Sequence, residues 1–65
     1  MAGLYFPNKY GGNSYREVNS DYEYKQASRD VAKAIRNHQE VPSRTLQAVL
    51  QWNGYYDERQ LLANY

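Results

Sequence analysis

The sequence predicts a small, mostly α-helical protein. Three helices are expected at about residues 20–38, 43–53 and 57–64, behind an N-terminal arm that is either irregular or a short β-hairpin. Three observations predict this. Apolar residues recur at helical spacing from residue 24 onward, capping signals precede two of the helical stretches, and residues 1–19 carry Pro7, Gly11 and Gly12 with no helical period. With 65 residues there is room for a single domain, made of an arm at 1–19 and a three-helix unit at 20–65. A chain this short buries only about 60% of its unfolded surface, so its core is small.

In the arm, Gly11-Gly12-Asn13 is a turn signal between two short aromatic stretches, residues 4–6 and 15–18. Pro7 limits the first of them as a strand. The arm as a whole is too short and too polar to make a core, which is expected to come from the helices.

The first helix is the best marked. Ser20 and Glu23 form a capping box, in which Ser20 accepts from the Glu23 N–H and the Glu23 carboxylate reaches back to the Ser20 N–H. Asp21 adds negative charge at the positive end of the helix dipole. At about 100° per residue, Tyr24, Ala27, Val31, Ala34, Ile35 and His38 share one side. Lys25, Arg29, Lys33 and Arg36 fall nearly opposite, within an arc of roughly 80°. Pairing of Asp21 with Lys25 and of Asp30 with Lys33 would partly neutralise that stripe.

Pro42 disfavours helix at Val41 and suits a new first turn, with Ser43 as the expected cap. Leu46, Val49 and Leu50 form the apolar face of the second helix, Trp52 lies at its edge, and Gly54 ends it. Asp57 and Gln60 repeat the capping-box pattern before Leu61, Leu62 and Tyr65, which are expected to pack back onto the first two helices.

Composition narrows the chemistry. Without cysteine there are no disulfides or thiolate metal sites, which fits a reducing cytoplasm. The lone histidine, His38, is expected as a half-buried or capping imidazole at a helix end. No phosphate-binding loop, dinucleotide fingerprint, zinc-protease motif or nucleophile elbow is present, so no enzyme activity, cofactor or metal is expected. No apolar run is long enough for a signal peptide or a membrane span. The net charge is +1, and the unusual residue is tyrosine, with eight copies. Tyrosine offers rigid amphipathic contact area and is enriched at protein interfaces.

Val31, Ala32 and Ile35, followed by Val41, Leu46 and Val49, resemble the apolar skeleton of a helix-turn-helix. That resemblance implies a recognition helix at 43–53, with Ser43, Arg44, Gln47 and Gln51 reaching phosphates or base edges. Its turn is longer than the motif's usual short one.

The expectation is a non-enzymatic binding module of the adaptor or inhibitor type, acting through protein–protein contacts. Small proteins encoded by phages and mobile elements often have such roles. A helix-turn-helix-like DNA-binding protein is the alternative. Candidate partner-binding residues are Lys25, Arg29, Lys33, Arg36 and Arg44, with Tyr10, Tyr15, Tyr55 and Tyr56. Another protein is the expected partner and nucleic acid the alternative, with no membrane. Self-association is expected because so small a core leaves aromatic surface uncovered.

Overall fold

The computed structural model describes residues 2–65. Strands β1 (Ala2–Pro7) and β2 (Asn13–Val18) form an antiparallel hairpin, followed by helices α1 (Asp21–Arg36), α2 (Ser43–Asn53) and α3 (Glu58–Asn64). The three-helix architecture and the hairpin form of the arm are both present. Among the described residues no helix is long and apolar enough to cross a membrane.

The hairpin is built by its turn. Asn8 donates its N–H to the Gly12 carbonyl (2.9 Å), and its side-chain oxygen accepts from the N–H groups of Tyr10 and Gly12 (2.9 and 3.1 Å). Gly11 takes φ 86°, the left-handed conformation a three-residue hairpin loop requires and glycine adopts without steric cost. Strand periodicity then sends Leu4 and Phe6 inward and Tyr5 outward.

Leu4, Phe6 and Val18 are buried in one cluster with Ala27, Val31 and Ala32 of α1, Val49 and Leu50 of α2, and Leu61 of α3. The expectation that the core comes from the helices is therefore corrected: the arm supplies three of its buried residues. A hairpin needs only one apolar face, and three well-placed side chains supply it. Ile35 and Leu46 are half-buried at the margin of the core, while Ser28 and Thr45 are fully buried polar residues that apolar periodicity did not single out.

Both buried hydroxyls have partners, as burial demands. Ser28 donates to the Tyr24 carbonyl (2.8 Å) and accepts from the Asn53 amide (2.9 Å), and the Asn53 oxygen accepts from the Tyr65 hydroxyl (2.8 Å). This chain of bonds ties all three helices together. Trp52 stacks on Tyr24, with centroids 5.4 Å apart and rings 5° from parallel, which closes the α1–α2 seam.

Several local expectations change. The Ser20 hydroxyl caps Glu23 as predicted (3.2 Å), but the Glu23 carboxylate accepts from the Asn19 N–H and the Ser20 hydroxyl, not from the Ser20 N–H. Helix α1 stops at Arg36. His38 sits at φ 58°, its N–H bonding to Ile35 and that of Gln39 to Ala34, a Schellman ending that turns His38 out to solvent. It is exposed, not half-buried on the apolar side. The N-cap of α2 is Pro42, with no side-chain bond, and Ser43 is already helical. Gly54 (φ 76°) ends α2 and Asp57 caps α3 by accepting from Arg59 and Gln60, as expected, but the Gln60 side chain accepts from the Tyr56 N–H and not from that of Asp57. Neither Asp21–Lys25 nor Asp30–Lys33 pairs. The one salt bridge among the described residues is Arg16–Asp30 (2.8 Å).

Candidate protein-interaction face

Three surfaces hold part of the candidate set: the outer face of the hairpin, the edge of β2, and the polar side of α1. On the outer face, Tyr5 and Tyr15 stand opposite each other in register and meet edge-to-face, with centroids 5.4 Å apart. Both rings are more than half exposed. The Tyr15 ring lies across Gly3, where a Cβ would come within 2.0 Å of its hydroxyl oxygen, so any larger residue there would push the ring aside. The Tyr15 hydroxyl donates to the Glu17 carboxylate (3.0 Å), and this bond, with some desolvation and the nearby negative charge, raises the phenol above its ordinary pKa.

The two hairpin edges differ. Hydrogen-bonded pairs alternate along an antiparallel ladder. Since Asn8 bonds to Gly12, the inward-bonded pairs continue as Phe6–Ser14 and Leu4–Arg16. The backbone groups of Gly3, Tyr5 and Pro7 on β1, and of Asn13, Tyr15 and Glu17 on β2, therefore point away from the ladder. On β1 the Thr45 hydroxyl donates to the Tyr5 carbonyl (2.6 Å), and Pro7 has no N–H. On β2, among the described residues, no hydrogen bond from outside the ladder reaches the backbone of Asn13, Tyr15 or Glu17. That edge is open.

Below it runs a groove of about 360 Å³ between the hairpin and the second half of α1. Phe6 and Ala34 are its apolar floor, and Ser14, Arg16, Asp30 and Lys33 stand at its sides. The Arg16 guanidinium lies 4.0 Å from the Phe6 ring centroid and bonds Asp30, so one side chain joins strand, floor and helix. Both partners are nearly half exposed, and such a pair contributes only about 0–1 kcal/mol. Lys33 has no carboxylate within salt-bridge distance among the described residues.

The basic stripe is only partly gathered. Arg29, Lys33 and Arg36 border a second hollow of about 460 Å³ with Tyr65, while Lys25 and Arg44 are exposed but lie outside it. Arg36 donates to the carbonyls of Leu62 and Tyr65 (2.8 and 3.1 Å), which caps the end of α3. Arg44 is the one charged residue of α2, where Ser43, Gln47 and Gln51 are exposed beside it.

The tyrosines are dispersed. Tyr10 is 82% exposed at the hairpin tip, Tyr56 is 93% exposed between α2 and α3, and Tyr55 is half-buried against the core. Of the four tyrosines singled out from the sequence, only Tyr15 lies on the Tyr5 face. Sequence reasoning missed Tyr5, Arg16 and Asp30. The alternation Leu4-Tyr5-Phe6 could have found Tyr5, since it separates that ring from two core residues.

Neither a family model nor a curated protein nor a solved structure matches this chain. Among the described residues no group of three His, Asp or Glu side chains could hold a metal ion.

Proposed function

We propose that this protein is a non-enzymatic binding module that recognises another protein, in the manner of an adaptor or inhibitor, through the outer face and open edge of its hairpin. The observation that carries this reading is the Tyr5–Tyr15 pair, two half-exposed rings in contact beside a strand edge with unpaired backbone groups. Aromatic rings held rigidly at a surface supply contact area at little entropic cost. The absence of cysteine supports a reducing compartment such as the cytoplasm.

The DNA-binding alternative draws on the exposed row Ser43, Arg44, Gln47 and Gln51 of α2. It has one cation on that helix, and the gathered cations of α1 border a hollow that does not include Arg44. Phosphate recognition needs several cations on one surface.

The test is affinity capture with and without nuclease, together with duplex DNA binding at two salt concentrations. The expected result is nuclease-resistant capture of a protein that Tyr5→Ser and Tyr15→Ser weaken, with little duplex binding at physiological salt. Tight, strongly salt-dependent duplex binding that is lost in Arg44→Ala would overturn the reading in favour of DNA.

A further inference from the structure

We infer that the open edge of β2 and the groove beneath it form a site for one extended peptide segment of a partner protein, carrying an apolar side chain and an acidic side chain two residues apart. The inference rests on the protein-binding reading above and specifies its ligand.

Asn13, Tyr15 and Glu17 present N–H and C=O groups along an edge that no element of the described chain covers. An added strand would satisfy them with main-chain bonds, the usual source of affinity in strand addition. The opposite edge is less suited, because Thr45 occupies the Tyr5 carbonyl and Pro7 lacks a donor, which leaves the Gly3 groups and the Tyr5 N–H outward and unengaged among the described residues.

The side chains around the edge fix the chemistry of the ligand. Residues of an added strand alternate between the outer face, beside Tyr15, and the inner face, over the groove. The groove floor is Phe6 and Ala34, which suits an apolar side chain. At its side the Asp30 carboxylate is already engaged by Arg16, whereas Lys33 has no carboxylate partner among the described residues. Arg29 stands one turn before Lys33 and borders the adjoining hollow, where Arg29, Lys33 and Arg36 face the single side-chain carboxylate of Asp30. An acidic side chain on the same face of the ligand strand, two residues from the apolar one, would meet the positive charge of Lys33.

Three reagents test this: a displayed library of random linear peptides, the intact chain, and variants of it. N-methylation of Tyr15, introduced by chemical synthesis, blocks one outward N–H and leaves the β1 ladder and the phenol in place. Lys33→Glu reverses the charge at the groove. Selected peptides should be enriched in an apolar and an acidic residue at i and i+2. On binding they should slow amide exchange at Asn13, Tyr15 and Glu17. N-methyl-Tyr15 and Lys33→Glu should each weaken binding about tenfold, the equivalent of one well-made hydrogen bond or charge contact.

Selected peptides that bind without protecting these amides would overturn the strand site, yet leave a protein-binding module standing on its tyrosine face. Enrichment without any acidic preference, unaffected by Lys33→Glu, would overturn the proposed ligand chemistry. Protection of the same amides in the chain alone, growing with concentration and accompanied by dimers in light scattering, would assign the edge to a second copy instead. Selection of no peptide at all, with duplex DNA bound tightly, would sink this inference and the protein-binding reading together.

Discussion

Along β1 the outward backbone is interrupted at Tyr5 by a buried hydroxyl from α2 and at Pro7 by the missing N–H, whereas along β2, one strand away, no side chain among the described residues engages the corresponding groups. The strands have equal length and share one turn. What separates them is position: β1 sends Leu4 and Phe6 into the core and meets α2, while only Val18 of β2 is buried. An edge covered by its own fold adds to stability, and an edge left bare is available for recognition. This hairpin has one of each.

The largest test of that contrast is on the closed side. Leu4→Ala removes a buried side chain from a small core and should cost about 2–5 kcal/mol in denaturant unfolding. Tyr15→Ala on the open side should cost about 1 kcal/mol or less, the worth of one cross-strand aromatic pair. Equal losses would mean that the two strands are anchored alike.

Next is the seal itself. Thr45→Val keeps the shape and leaves the Tyr5 carbonyl without its partner, so it should destabilise by about 1–3 kcal/mol. N-methyl-Tyr15 should leave the melting temperature nearly unchanged, because its N–H has no partner to lose. A stabilised Thr45→Val protein would show that the bond is not what closes the β1 edge.

Smaller still is the effect of the Arg16–Asp30 pair. Asp30→Asn should shift stability by no more than about 1 kcal/mol, since both groups are nearly half exposed. A loss well beyond that would show the pair bracing β2 against α1.

The smallest expected effect is a titration. The neutral Tyr15 phenol donates to Glu17 in the folded chain, so its pKa lies above that of an unfolded tyrosine. The unfolded state then loses its proton first as pH rises. This contribution to stability is complete below the ordinary tyrosine pKa and disappears as pH climbs through the raised folded value. Tyr15 ring resonances followed by NMR should titrate at higher pH than those of Glu17→Gln. Identical curves would remove the hydrogen bond.

Much of the helical frame was legible in the sequence. Ser20, Asp57 and Gly54 mark helix ends through chemistry confined to a few neighbouring residues, and these signals held. His38 was misplaced because a Schellman ending with a non-glycine left-handed residue leaves no local mark. Ser28 and Thr45 were missed because a polar residue becomes buried only when a distant group supplies its partner: Asn53 for one, the Tyr5 carbonyl for the other. The candidate face was the least legible part. An open edge is a property of what lies beside a strand, and neither Arg16 meeting Asp30 nor the groove above Ala34 is written in local spacing.

The turn at Asn8 has a further consequence in time. Its hydrogen bonds span at most six residues, from the Asn8 amide to Ser14, whereas the bond that seals β1 joins residues forty positions apart. Hairpins close in about 1–10 μs, and contacts between distant segments must first overcome the entropy of a longer loop. The order of events follows: the hairpin can form on its own schedule and wait for α2 to dock. Asn8→Ala should then slow refolding in stopped-flow measurements more than it speeds unfolding, marking the turn as part of the nucleus. During that wait both edges are bare, and docking of α2 is the moment at which the two strands become different.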